Sequence, residues 1–330
     1  MNRPYLPPLW LRNGHIQSIY ASLSRPRYRL NYQRERIDTP DNDFLDLDWS
    51  LCGENRSRDL IILSHGLEGH TRRNYITGMA GCLNKAGIDS LSWNYRGCSG
   101  EPNRQLRMYH NGVIDDLDLV VRHGIGAGYK NIFLIGFSLG GNLTLLYLGK
   151  TGKGLAKEIR GAVAFSVPCD LAGAAEEISK PKNAIYMRRF LKDLHTKVKA
   201  KQDLFPTKIN DHGYGRIKNF KEFDDCYTAP IHGFKNAEDY WQKCSCLPWL
   251  DKIKLPCMMV NSLDDPFLSK SCYPVEIARQ TKQLHLIRPR YGGHVGFVAL
   301  NREKEYWSEA ITKSFIRSTL DQHHLPDQPE

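Results

Sequence analysis

Residues 131–148 read NIFLIGFSLGGNLTLLYL, and the order of these residue types decides the fold. Asn131 to Ile135 is an apolar run, β-branched in part, as expected of a strand buried on both faces. From Gly141 onward, leucines and Tyr147 recur at helical spacing. Between the two lies Gly136-Phe137-Ser138-Leu139-Gly140, which satisfies G-x-S-x-G. A serine held on a sharp, strained strand-to-helix turn needs small neighbours two residues to either side. Without side chains there, strand and helix approach closely and the hydroxyl is presented at the top of a sheet.

Working outward, compact apolar runs at 60–63 and 88–93 precede this strand, with helical patterns at 75–86 and 115–123. Runs at 161–166, 257–261 and 283–287 follow it. Such alternation predicts a mostly parallel sheet with right-handed crossovers and helices on both faces. Residues 34–51 read as paired strands around an Asp-Asn-Asp-Phe turn. The first 30 residues, rich in Pro and aromatics, are expected to wrap the domain. From 170 to 255 no strand-like run occurs, which predicts a cap of helices and loops over the carboxyl ends of the strands. One domain of 330 residues is expected, with a frayed tail from His323 to Glu330.

Composition is globular, 41% hydrophobic and 25% charged, with no apolar run long enough to span a bilayer. The first 15 residues lack the apolar core of a signal peptide. Nine cysteines without a CxxC pair point to reduced thiols, no zinc site and a cytoplasmic address. The net charge is +10. Much of the excess lies between Lys180 and Lys208, which holds nine Lys/Arg against two Asp. No nucleic-acid motif accompanies it. This stretch reads first as a solvated helix face, and second as a surface for anionic lipid.

A serine hydroxyl becomes a nucleophile when a base takes its proton and a carboxylate orients that base. Both groups should follow later strands, and suitable residues do. Ser262-Leu263-Asp264-Asp265-Pro266 follows the run at 257–261, and Tyr291-Gly292-Gly293-His294-Val295-Gly296-Phe297 follows the one at 283–287. The order nucleophile, acid, histidine is that of α/β-hydrolases. Ser138 is the expected nucleophile and His294 the base. Asp265, next to a proline and further from the strand end, is the first choice to orient His294. Asp264 is the alternative, and otherwise a capping or turn residue. Oxyanion donors are expected from the backbone N–H groups of Leu139, after the nucleophile, and of Leu67, in the loop 64–69. No cofactor is needed.

Together, His65-Gly66-Leu67-Glu68-Gly69, Asn94-Tyr95-Arg96-Gly97, the Ser138 turn, Leu263-Asp264-Asp265-Pro266-Phe267 and Gly293-His294-Val295-Gly296-Phe297 resemble the YheT-like family of α/β-hydrolases. Asn13-Gly14-His15 and FDDCYTAPIHGF at 223–234 extend the resemblance over nearly the whole chain. It implies a carboxylic-ester hydrolase with Ser138, Asp265 and His294 as its triad. Members of the wider family act on medium-chain acyl esters or phospholipids, and some pass the acyl group to alcohols. The membrane anchor of some eukaryotic members has no counterpart in this sequence. An acyltransferase or thioesterase is therefore the second reading, and an inactive binding protein of the same fold the third.

Other polar residues read as structural. His110 and Asp115 fit H-x-x-x-x-D, but a helix-entry aspartate needs no catalytic role, and His110 is expected to bond within the 94–100 loop. Arg96 is expected in a buried ion pair, Asp224 and Asp225 in fixing the cap to the core, and Glu68 in supporting its loop.

Overall fold

The computed structural model describes residues 5–25, 28–303 and 305–324. Its centre is an eight-stranded sheet in the order β1-β2-β4-β3-β5-β6-β7-β8. These strands are β1 (Gln33–Asp38), β2 (Phe44–Ser50), β3 (Asp59–Ser64), β4 (Asp89–Asn94), β5 (Asn131–Phe137), β6 (Ile159–Phe165), β7 (Cys257–Val260) and β8 (Leu284–Ile287). Only the pairings of β2 are antiparallel, with β1 in a hairpin and with β4, and every other pairing is parallel. This is the α/β-hydrolase fold. β5 runs two residues beyond its apolar core, because Gly136 and Phe137 still pair with Ala164 and Phe165 of β6. The ladder therefore delivers the chain directly to Ser138.

Helices occupy both faces, and side-chain alternation along the strands divides the core in two. Leu60, Ile62, Ile132 and Leu134 pack with α3 (Ile114–Gly126) and α4 (Leu139–Thr151). Ile61, Leu63, Phe133 and Ile135 pack instead with α2 (Asn74–Asn84) and α11 (Trp307–His324). α11 runs to His324 and so takes in the first two residues of the tail expected from His323. Residues 325–330 of that tail lie outside the described residues. Among the described residues, no helix is long and apolar enough to cross a membrane.

Between β6 and β7 the chain runs through α5 (Leu171–Ile178), α6 (Ala184–Leu204), α7 (Phe220–Phe223), α8 (Ala229–His232) and α9 (Ala237–Cys244). A π-helical turn, Asp224–Thr228, joins α7 to α8. These elements form a small core of their own, in which Met187, Leu191, Leu194 and Val198 of α6 meet Tyr214, Phe223 and Tyr227. The short helix α10 (Val275–Gln280) precedes β8.

The N-terminal segment contains a helix that composition did not suggest, α1 (Gly14–Ser24), capped by Asn13, whose Oδ1 accepts from the Ile16 N–H. Its amphipathicity is inverted. Gln17, Ser18 and Ala21 are buried, whereas Ile16, Ile19 and Leu23 face outward. A pattern that buries apolar residues would not find it.

The basic stretch is not one surface either. Lys182, Arg188, Arg189 and Lys192 are exposed. Lys197 turns inward to the Gly97 carbonyl at 2.5 Å, and Lys201 to the Asn103 carbonyl at 2.7 Å and to that of Gln105. These contacts tie α6 to the loop after β4.

Arg96, at the root of that loop, is enclosed. Its Nε and Nη2 grip Asp116 of α3 at 2.9 and 2.7 Å. Its Nη1 donates to Asp41 at 2.8 Å and Asp43 at 3.0 Å in the β1–β2 turn. Removing one member of a buried network strands the others, so Arg96→Met should cost about 3–5 kcal/mol. The shift in urea-unfolding free energy measures this, and a loss under about 1 kcal/mol would contradict the enclosed geometry.

Candidate active site

Three loops at the carboxyl ends of β5, β7 and β8 converge on one point. Ser138 follows β5 and caps α4 at φ 55° and ψ −118°, a left-handed strain for a non-glycine residue. Its backbone N–H donates to the Phe165 carbonyl at 2.8 Å. The flanking glycines make the turn possible: a Cβ on Gly136 would stand 2.2 Å from the Gly140 carbonyl oxygen, and one on Gly140 2.3 Å from that of Ser64.

His294 Nε2 lies 2.9 Å from Ser138 Oγ, and its Nδ1 lies 2.9 and 3.1 Å from the two carboxylate oxygens of Asp265. A carboxylate can only accept, so the proton sits on Nδ1 and Nε2 is left to accept from the serine hydroxyl. The Asp265 side chain is fully enclosed, with Oδ1 also accepting from the Phe267 N–H at 2.9 Å. Asp264, the alternative acid, points elsewhere: its Oδ1 accepts from the Gly293 N–H at 2.9 Å and so shapes the histidine loop.

Leu67 sits beside Ser138, since a Cβ on the preceding Gly66 would stand 3.3 Å from the Ser138 Cβ. Among the described residues, the N–H groups of Leu67 and Leu139 donate to no protein acceptor. Tyr109 holds the next residue, its hydroxyl accepting from the Glu68 N–H at 2.9 Å and donating to Glu68 Oε1 at 2.5 Å. His65, wholly buried beneath this loop, bonds through Nδ1 to the Gly66 carbonyl at 2.8 Å.

The sequence did not single out what holds the histidine loop. Ser18 of α1 accepts from the His294 N–H at 2.7 Å and donates to the Gly14 carbonyl at 2.6 Å. Gln17 accepts from the Val298 N–H at 3.2 Å, and Ser166 from the Val295 N–H at 2.9 Å. A Cβ on Gly14 would lie 1.8 Å from the Asp264 carbonyl oxygen, which explains why Asn13 is followed by glycine. Asn13-Gly14-His15 was the available signal, but nothing local told what it touched.

Ser138 and His294 open onto a cavity beneath the cap, of about 870 Å³ including space open to solvent, walled by leucines and aromatic rings. His110 lies in its wall, not within the 94–100 loop. Its Nδ1 accepts from the Gly112 N–H at 3.1 Å, and its ring meets His232 at 4.4 Å. Asp115 is turned away to Arg107 at 2.6 Å. Asp224 also borders the cavity and departs from expectation, because its partners Thr228 and Trp241 belong to the cap itself.

Burial pushes Asp224 up to about 7, His65 down to about 3, His232 down to about 4 and His110 well below its usual range. An imidazole with a folded pKa below 6.5 protonates first in the unfolded chain, so its stability contribution is intact above about 6.5 and falls as pH drops toward 4. Asp224 works oppositely, its contribution being lost as pH rises through 7. Burial also raises Glu68, Asp116 and Asp264, which act in the same sense as Asp224. With the three imidazoles outweighing these carboxyls, urea resistance should fall by about 1–3 kcal/mol between pH 7 and 5. Equal or greater resistance at pH 5 would mean that the imidazoles are not buried neutral.

Comparison with known proteins agrees with this architecture. Residues 55–272 match the family described as "Serine aminopeptidase, S33". YheT of Escherichia coli (strain K12), an esterase by name, is 32% identical over 96% of this chain and 94% of its own. Phospholipase ABHD3 of Homo sapiens is 28% identical over 97% of this chain and 80% of its own. Among solved structures, the Pyrococcus furiosus esterase Pf2001 superposes with a TM-score of 0.58 over 96% of this chain and 99% of its own. At 18% identity that last likeness speaks for the fold alone.

Proposed function

Since the chain belongs to the YheT-like family of α/β-hydrolases and is a carboxylic-ester hydrolase, we propose that it cleaves short- to medium-chain acyl or lipid-like esters through a Ser138-His294-Asp265 triad. The observation that carries this reading is the unbroken line of hydrogen bonds from Asp265 through His294 to Ser138, ending at the mouth of an apolar cavity.

Ser138 Oγ attacks the ester carbonyl while its proton passes to His294 Nε2. Asp265 holds the imidazole in the tautomer that can accept it and stabilises the imidazolium formed. The Leu67 and Leu139 N–H groups receive the charge that develops on the carbonyl oxygen. As the intermediate collapses, the alkoxide leaves with the proton from Nε2 and the acyl group stays on Oγ. Water, deprotonated by the same nitrogen, then releases the acid. The leucine-walled cavity supports an acyl chain of some length, and the names esterase and phospholipase borne by relatives support an ester substrate. If an alcohol or thiol replaces water in the second half, the same groups make an acyltransferase or thioesterase. Nine unpaired cysteines support a reducing, cytoplasmic setting.

Contact with anionic lipid is part of this reading. His15 of α1 stacks on Tyr186 of α6, which brings α1 beside the helix that carries the exposed Arg188, Arg189 and Lys192. Vesicles rich in anionic lipid should co-sediment the protein at low salt and release it at about 1 M salt. Lack of binding at low salt would remove the contact.

Aryl esters of increasing acyl length, incubated with and without ethanol, test the reaction. Ser138→Ala and His294→Ala should each lower kcat by at least about 10⁴-fold, and Asp265→Asn by about 10⁴-fold. Free acid as the main product identifies a hydrolase, whereas dominant ethyl ester identifies an acyltransferase. Equal rates in wild type and Ser138→Ala would overturn the triad.

A further inference from the structure

Ser138 and His294 border a second cavity as well, of about 1540 Å³ including space open to solvent. Leu67, Phe190 and Phe267 are common to both, so the catalytic pair stands at the junction. The two chambers differ in charge. Among the described residues, the one beneath the cap is lined by no Lys or Arg, and its one carboxyl is Asp224. The second is lined by Arg25, Arg72, Arg73 and Arg189 and, among the described residues, by no Asp or Glu.

We propose, resting on the ester-hydrolase reading, that this second chamber receives the alcohol part of the ester and recognises an anionic group there, a carboxylate or a phosphate. Arg25 is enclosed: its side chain is 2% exposed and pairs with Glu309 through Nη2, and its Nε and Nη1 are buried as well. The donors in reserve belong to the other three. Arg73 spends Nη2 on the Glu68 carbonyl at 2.8 Å. Arg189 reaches Asp193 only at 3.9 Å, and Arg72 stands 5.8 Å from the Tyr32 ring on the exposed rim. Asn74 and Tyr75 open α2 on the same chamber, adding the positive end of its dipole. Planar guanidinium pairs with carboxylate or phosphate oxygens in a geometry that ammonium does not match. Hydrocarbon belongs in the leucine-walled chamber, where an anion would lose its hydration without a partner. The acyl chain therefore lies under the cap and the charged alcohol lies among the arginines.

The test uses one acyl group throughout: octanoyl esters of glycerol, glycerol 3-phosphate, 3-hydroxypropanoate and choline, with monoethyl octanedioate as an acid-side anion. For the full-length protein, kcat/KM should favour the phosphate or carboxylate alcohol over glycerol by at least about tenfold at low salt, the size of one charge-assisted hydrogen bond. The choline ester should be poorest, and about 1 M salt should compress the series. The two anionic arms tell which oxyacid fits. In Arg72→Gln/Arg189→Gln the ratio of anionic to neutral ester should fall to within about twofold, with an unchanged melting temperature showing the fold intact. Parity of all alcohols in wild type, or preference for choline, would overturn the proposal. Preference for monoethyl octanedioate would reverse the assignment of the chambers and overturn it equally. Absence of Ser138-dependent turnover of the neutral glycerol ester would instead remove the reading on which it rests.

Discussion

The backbone at Ser138 is bent into a region that costs a non-glycine residue about 1–3 kcal/mol, and the surrounding structure is organised to hold it there. Two parallel ladders fix β5 between β3 and β6 up to its last residues. The Phe165 carbonyl takes the Ser138 N–H, and α4 begins at once. Gly136 and Gly140 bring strand, helix and the β3 loop closer than any side chain would allow. Loosening any of these would let the turn relax and carry the hydroxyl away from the histidine.

The histidine loop meets the same demand with different means. Val295 and Phe297 also take positive φ, and Gly293 packs against the Gly14 carbonyl. A helix that buries glutamine and serine while exposing isoleucine and leucine is unfavourable in isolation. Here its polar face satisfies the N–H groups of His294 and Val298. Burial of polar atoms is affordable when each finds a partner.

Charge ties the cap to the sheet. Arg96 joins the β1–β2 turn to α3, and the loop that it anchors offers carbonyls to Lys197 and Lys201 of α6. Asn142 of α4 closes the other end, with Oδ1 accepting from the Cys246 N–H at 2.9 Å and Nδ2 donating to the Cys244 carbonyl at 2.9 Å. The cap thereby stays over the serine and divides the space around it into an apolar chamber and a guanidinium-rich one.

The sequence alone determined the strand order along the chain, the strand-to-helix turn at Ser138, and the acid and histidine that follow later strands. These are local features: apolar runs, glycines beside one polar residue, and chain order survive in one dimension because backbone sterics impose them within a few residues. Only the tertiary structure decided that Asp265 and not Asp264 faces the imidazole, since adjacent residues differ by direction alone. It also decided that α1 is a helix packed by its polar side, that Lys197 and Lys201 leave the basic surface, and that His110 and Asp224 meet the apolar chamber. Each of these depends on partners distant along the chain, 276 residues away in the Ser18–His294 bond. Hydrogen bonding and burial reward such pairings only once the chain has closed, so no local pattern announces them.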